Sequence, residues 1–407
     1  MSWPSQPAVP TGSTPPGPYA AGSPAPYDPA YDPGPVRPTS RTGIRSWLLT
    51  GVVVTGFAIA TLALTAYFGA SLGVVTAFFG LVLAAIPLGV VVPTFLWLDR
   101  FEAEPTKYLV TAFLWGALVA ALLAGLFNTG AMLVIQASTD ASSAMLTTAV
   151  VVAPVVEESL KGVLVLLVWR LRRREFDGLT DGMVYAGITA AGFAFTENIQ
   201  YLGQAYLEGG SQMLAATFVG RGLLSPFAHP MFTILTGIGV GIAASARSAG
   251  VRVFAPVVGW LLAVTAHGLW NLSAVTGGAG LLVGYFIVGV PIFLGFVCLI
   301  IWTRRREGRA IGRHLSPYAD AGWLSPSEVA MLAHMGHRRE ARMWAKTNSG
   351  RPGLAAMREF QDAASELALL RQRMYHHAAD DHALQAERRL LDTMTVARRA
   401  FVGTPAR

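Results

Sequence analysis

The chain has 407 residues, of which 53% are hydrophobic and only 14% charged, and its mean hydropathy is +0.47. Soluble domains carry about a quarter charged residues, so this balance excludes an ordinary water-soluble enzyme and indicates a polytopic helical membrane protein. The formal charge of +7 lies wholly in the last hundred residues: positions 304–407 hold 18 Lys and Arg against 11 Asp and Glu, and positions 1–303 hold 13 of each.

Residues 1–43 are rich in Pro, Gly, Ser, Ala and Tyr. They lack the basic-then-apolar order of a signal peptide and read as a disordered tail. A membrane region at 44–303 follows. Its apolar runs exceed the roughly 20 residues that cross a bilayer, and no period-2 alternation suggests a barrel. Eight spans are predicted, at 46–70, 72–98, 108–135, 144–169, 182–205, 226–246, 254–275 and 281–302. The apolar stretch 212–224 is too short for a crossing and carries Arg221 near its end, so it reads as a half-helix or re-entrant segment.

Basic residues mark alternate loops: Arg37, Arg41 and Arg45, then Arg100 and Lys107, then Arg170 with Arg172 to Arg174, then Arg247 and Arg252, then Arg304 to Arg306. The positive-inside rule places these loops and both termini in the cytoplasm. The composition suggests a bacterial cytoplasmic membrane. The single cysteine, Cys298, supports neither a disulfide nor a thiol metal site and is expected to pack in an apolar run.

Residues 304–407 read as a small helical, basic cytoplasmic segment. Ser325 and Glu328 form a capping box that opens a helix, and "NSGRPG" at 348–353 breaks a later one. Anionic lipid headgroups are the expected partner for its charge. No nucleic-acid motif is present. His376, His377 and His382 lie near Asp380 and Asp381, a pattern that a solvated helix face explains better than a metal.

Charge inside the spans is the informative feature. "VVAPVVEESLKGVLVLLVW" at 151–169 places Glu157, Glu158 and Lys161 in mid-span. A charged residue there costs about 2.5–3.5 kcal/mol even on lenient insertion scales, so these must face protein or a wet cavity. Lys161 stands four residues from Glu157 and three from Glu158, within reach of either. The adjacent glutamates point about 100° apart, so one can face a cavity while the other holds Lys161 or a neighbouring helix. An ion pair that docks helices is the competing explanation. Further polar groups weigh against it: Glu197 and Asn198 in the fifth span, His229 opening the sixth, and His267 with Asn271 on one face of the seventh. Six of the eight histidines lie in the C-terminal segment, and these are the other two.

Such groups permit hydrolysis. A shielded carboxylate can act as a base toward a trapped water, and His and Asn can donate to an oxyanion. Two histidines with a carboxylate also form an accepted zinc set, with His229 and His267 as candidate ligands. HExxH is absent, so no cofactor is required and zinc stays open. "GASLG" at 69–73 fits GxSxG without a strand–turn–helix context, and "GIGVG" at 237–241 fits close helix packing.

"EESLK" (157–161), "DGMVYAGITAAGFAFTEN" (181–198), "HPMFT" (229–233) and "HGLWN" (267–271), with "LDRFEAEP" at 98–105, resemble the ordered motifs of the PrsW family of intramembrane proteases. That family is related to the CAAX prenyl proteases and their bacterial relatives. The relatives' EExxR is matched with Lys161 in place of arginine, their FxxxH with Glu197 in place of histidine, and their HxxxN by His267 and Asn271. The resemblance implies Glu157 as general base, Glu158 orienting the site, and His267 and Asn271 as the oxyanion site. It leaves Glu197 and His229 as further site residues, with Lys161, Asn198 and Asp181 in support. It also implies a single-pass membrane protein substrate of the anti-sigma-factor class. The competing function classes are a proton-coupled carrier, for which no paired internal repeat is visible, and a catalytically silent membrane scaffold.

Overall fold

The computed structural model describes residues 27–28, 44–101, 104–172, 176, 178–376 and 381–402. Most of the predicted N-terminal tail lies outside these residues, as do Arg37, Arg41, Arg173, Arg174, His377 and Asp380, and so do the side chains of Arg45, His376 and Asp381. The described residues are all-α, with no strand. The chain divides into two compact units, one of Thr42–Arg100 with Glu104–Ile300, the other of Met1–Arg41, Phe101–Ala103 and Ile301–Arg407.

In the first unit, α1 (Ile44–Ser71) and α2 (Val74–Leu98) are followed by α3 (Thr106–Leu114), a π-helical turn at Trp115–Ala120 and α4 (Ala121–Gln136). Then come α5 (Ala141–Thr147), a second π-turn at Thr148–Val152 and α6 (Ala153–Leu171). The long α7 (Leu179–Phe218) leads into a third π-turn at Val219–Leu224. Next are α8 (Ala228–Ser245), α9 (Ala249–Val275), α10 (Gly277–Gly284), a π-turn at Tyr285–Gly289 and α11 (Val290–Asp320). Large apolar side chains such as Phe78, Phe79, Leu126 and Leu133 are exposed on the outer faces, as expected where lipid takes the place of water.

Among the described residues, six helical stretches are long and apolar enough to cross a membrane: Thr50–Ser71, Val74–Leu98, Thr106–Gln136, Leu179–Ser245, Ala249–Val275 and Gly277–Asp320. The eight expected spans are therefore not confirmed as a count. Two particulars account for the difference. The helix that carries Glu157, Glu158 and Lys161 is not among the six, and Leu179–Ser245 joins two of the predicted spans. Cys298, expected to be packed, is exposed.

At the centre stands α7, apolar all round through residues 182–193 and buried along that length, as an interior helix must be. Small residues let its neighbours approach. A Cβ on Gly182 would stand 2.1 Å from the Gly237 carbonyl oxygen, and one on Gly192 would stand 2.1 Å from that of Phe113. Both are contacts that no side chain survives. The glycines at 237–241 thus serve the close α7–α8 packing expected of them. π-turns widen the helix and release carbonyls from the backbone ladder. Ala117 O accepts the Thr196 hydroxyl at 2.6 Å and Ala149 O accepts the Asn271 amide at 2.9 Å, tying α3/α4 to α7 and α5/α6 to α9.

In the second unit, the last part of α11 joins α12 (Pro326–Leu332), α13 (Met335–His376) and α14 (Asp381–Val402). The expected capping box is present: Ser325 Oγ accepts from Glu328 N at 3.1 Å, and Ser325 N donates to Glu328 Oε2 at 2.7 Å. The expected break appears as a kink at Gly350 (φ 64°, ψ −153°). Met357, Phe360, Leu367 and Phe401 fill the core, and Arg398 clamps Glu328 with two bonds at 2.8 and 3.0 Å.

Candidate active site

α6 presents Glu157, Glu158 and Lys161 to the interior, all buried. Pro154 lies just after the Thr148–Val152 π-turn and has no N–H to give to the preceding carbonyls. The two glutamates take different surroundings, as their angular separation requires. Glu158 is fully satisfied: its Oε1 accepts from Lys161 Nζ at 2.6 Å and lies 3.0 Å from His267 Nδ1, and its Oε2 accepts from Thr233 Oγ1 at 2.8 Å. Glu157 is not. Its Oε1 accepts from Asn128 Nδ2 at 3.3 Å, whereas its Oε2 is buried without a hydrogen-bond partner. Lys161 Nζ lies 3.7 Å and His267 Nε2 3.9 Å from that oxygen.

α7 supplies Phe193, Glu197 and Asn198, and α8 supplies His229. The Nε2 of His229 lies 2.7 Å from Glu197 Oε2, and its Nδ1 lies 3.3 Å from Lys161 Nζ. The Lys161 ammonium sits 4.3 Å from the centre of the Phe193 ring, a cation–π contact. On α9, His267 stacks on Phe232 with ring centres 5.1 Å apart. The π-turn after α7 brings in Arg221, which donates from Nε to Asn198 Oδ1 at 2.7 Å and pairs through Nη2 with Glu197 Oε2. Side-chain exposure rises across the cluster, from 0% for Glu158 and Lys161 to 11% for His229, 19% for Glu197 and 28% for Arg221. Its accessible side is therefore the Glu197–Arg221 side.

One ligand atom each of Glu157, His229 and His267 can be chosen so that all three lie within 4.8 Å of one another. Each histidine has its other ring nitrogen on a carboxylate, His267 on Glu158 and His229 on Glu197. Carboxylates in that position orient metal-ligating imidazoles. Beside the cluster lies an apolar cavity of about 360 Å³, with Phe227, Ala228, Phe232, Trp270 and Phe293 in its wall.

Residues 104–299 match the family described as PrsW family intramembrane metalloprotease. Over that stretch the chain is similar to the PrsW family. The stretch contains every residue of the cluster. Similarity to curated proteins points the same way. The chain is 32% identical to Protease PrsW of Geobacillus kaustophilus over 164 residues, and 30% identical to Protease PrsW of Clostridioides difficile over 139 residues. These alignments cover 40% and 34% of this chain. The chain spans 66% and 55% of the two relatives' own lengths. No solved structure matches.

Within the matched stretch, the expected Glu157, Glu158, Lys161, Glu197, His229 and His267 come together, with Asn198 joined through Arg221. Two expected residues bond outside the cluster. Asn271 donates one amide N–H to Ala149 O at 2.9 Å, which docks helices, and its amide carries a second N–H. Asp181 caps α7 by accepting from Gly178 N at 3.0 Å. It lies sixteen residues, about 24 Å along the helix, from Glu197. Three residues that the sequence reading did not assign to the site belong to the cluster: Asn128, Thr233 and Arg221. A lone Asn in the apolar run "AGLFNTGAM" and a lone Arg at the end of another were the available signals, since polar residues in spans require partners.

Proposed function

We propose that the chain is an intramembrane endopeptidase that hydrolyses a peptide bond of a membrane protein, with Glu157 as the group that holds and deprotonates the attacking water. The observation that carries this reading is the Glu157 Oε2 atom: buried, without a hydrogen-bond donor, and facing two imidazoles. An unpaired buried carboxylate oxygen is costly, and a water or cation at that position offsets the cost.

The donor set fits the metal that the family's description implies. Glu157, His229 and His267 would hold it, as two histidines and a carboxylate hold catalytic zinc, and with metal bound Glu157 would serve as a ligand to the ion in place of a free base. A zinc ion bound there would polarise a carbonyl and lower the pKa of a water. The protein's own residues have separable tasks. Glu158 fixes the His267 tautomer by accepting its Nδ1–H, which leaves Nε2 as a lone pair facing Glu157. Glu197 does the same for His229 through Nε2, which leaves Nδ1 inward. Buried beside His229 Nδ1 and the Phe193 ring, Lys161 balances Glu158 and stands 3.7 Å from Glu157 Oε2. Phe232 and the apolar cavity beside it keep bulk water from that side.

A second reading, glutamic-type hydrolysis without metal, is favoured by Lys161 alone. Its ammonium stands 3.3 Å from His229 Nδ1, the lone pair that a metal would use. There it can donate to a developing oxyanion. Substrates of the single-pass class, a bacterial cytoplasmic-membrane location with cytoplasmic termini, and anionic lipids at the basic C-terminal segment belong to the same proposal.

The test is co-expression with epitope-tagged single-pass membrane proteins. The wild-type chain should release a shortened fragment from at least one of them, and Glu157→Gln, made to the same level, should not. Equal cutting by both would remove Glu157 from the chemistry.

A further inference from the structure

Two backbone breaks bound the last part of α7 and the π-turn that follows it. Gly209 (φ −138°, ψ 17°) and Gly210 (φ 63°, ψ −153°) interrupt the helix, and a Cβ on Gly210 would meet nothing within 4 Å. At the far end Ser225 leaves helical geometry (φ −128°, ψ 38°). Between these breaks lies a half-helix at residues 211–224, of which Gly222 alone is buried. Leu214 and Phe218 pack part-buried against a cluster that includes Leu64, Ala84, Ile199 and Leu202. A segment with so few buried contacts opens at low cost, and two glycines at its root can absorb the backbone rotation.

One polar side chain ties this segment to the site. Arg221 reaches three residues on one face of α7: it bonds Asn198 at 2.7 Å, pairs with Glu197, and covers the Tyr201 ring at 4.0 Å. The oxygen it pairs with, Glu197 Oε2, is the one that holds His229 Nε2 at 2.7 Å. Arg221 is thus one contact from Glu197 and two from the imidazole that faces Glu157. The neighbouring Gly222, Leu223 and Leu224 line the apolar cavity, so a chain entering that cavity meets the segment that carries the arginine.

We propose that Arg221 is a positioning residue, and that the half-helix at 211–224 is the movable wall through which substrate reaches the site. Docked, the segment places Arg221 on Glu197 and so fixes the ring of His229. Swung out about Gly209 and Gly210, it opens the most exposed side of the cluster and leaves Glu197, which holds His229, without its cation. The site is complete only when the wall is shut. This rests on the peptidase reading for its consequence in catalysis, but not for the mechanical claim.

The mechanical claim is measured without a substrate. The chain has one cysteine, so Cys298→Ser gives a background for paired nitroxides at Ala215→Cys on the half-helix and Leu126→Cys on α4, both exposed positions. Full-length protein in liposomes should give one narrow distance population. Arg221→Ala and Glu197→Gln should each add a broad second population, and Arg221→Lys, which keeps the charge but loses the fork, should fall between. Distributions identical in all four proteins would overturn the proposal, because the segment would then be held by packing alone.

The catalytic consequence is read on a tagged single-pass substrate that the wild type cuts. Arg221→Ala should lower kcat by about 10- to 100-fold, the usual cost of losing a residue that orients a ligand, with KM little changed, and Arg221→Lys should recover part of it. A kcat that does not respond while the half-helix is released would also overturn the positioning role. Failure of the wild type to cut anything would count against the peptidase reading, and the distance measurement would still decide whether Arg221 is the latch.

Discussion

His267 and Glu158 face each other with Nδ1 and Oε1 3.0 Å apart, both closed off from the surface. The contact separates the two adjacent glutamates by task. Glu158 is consumed by structure, with Lys161, Thr233 and His267 as partners, while Glu157 keeps an oxygen free. Two consecutive residues of identical chemistry should therefore respond differently to the same substitution.

For Glu157→Gln the expected outcome is loss of at least 100-fold in cleavage, the lower end of what a general base contributes, with little change in thermal stability. For Glu158→Ala both should fall. The substitution leaves Lys161 buried without its partner, and breaking a buried pair costs about 3–5 kcal/mol. Thermal unfolding in detergent, run beside a cleavage assay, separates the two. Equal destabilisation by both would mean that Glu157 is also a structural ion-pair member.

Asn271→Ala should behave as a docking mutant. Its amide bonds Ala149 O across a π-turn, so removal leaves a part-buried carbonyl unpaired at about 1–3 kcal/mol. Melting temperature should drop, and cleavage should fall less than tenfold below the unfolding range. Loss of two or more orders of magnitude in kcat with unchanged stability would restore the oxyanion role that the family resemblance implies.

Gly237→Ala should separate α7 from α8. Its Cβ would lie 2.1 Å from Gly182 O, with no flexible side chain to yield. Overpacking of this kind costs about 1–3 kcal/mol, and the shift would carry His229 away from α6. Reduced stability together with reduced cleavage is expected. Gly295→Ala, at a position with nothing within 4 Å, is the matched control and should resemble wild type in both assays.

Metal content follows from the donor trio. Purified wild-type protein should retain about one zinc per chain, and His229→Ala, His267→Ala and Glu157→Gln should each lower it. Zinc retained by all three variants would place any metal elsewhere. Zinc absent from an active wild type would favour the Lys161-based, metal-free reading.

The sequence made the helical class and most of the cluster legible because both rest on strong penalties. Long apolar runs have few alternatives to a helix in lipid, and Glu157, Glu158 and Lys161 cannot be left facing it. Which partner each side chain takes was less accessible. Asn271 shares a helix face with His267, but the Thr148–Val152 π-turn exposes a carbonyl that captures its amide, and hydropathy carries no mark of a π-turn. Asp181 lies within a matching motif yet serves as a helix cap. Arg221 looked like an obstacle to a crossing, and its meaning depended on the Gly209–Gly210 break that turns it back onto Glu197. The number of crossings differs for a related reason: α6 carries three charges, Glu157, Glu158 and Lys161, within its apolar run.

The central claim is hydrolysis directed by Glu157, and reconstitution tests it most directly. Wild-type, Glu157→Gln and Glu158→Gln proteins would be placed in liposomes with a panel of tagged single-pass membrane proteins, each with and without a strong chelator and with zinc restored. The account predicts that wild type cuts at least one substrate, that both variants fail, and that chelation stops wild-type cutting until zinc returns. Cutting by Glu157→Gln at the wild-type rate would contradict it.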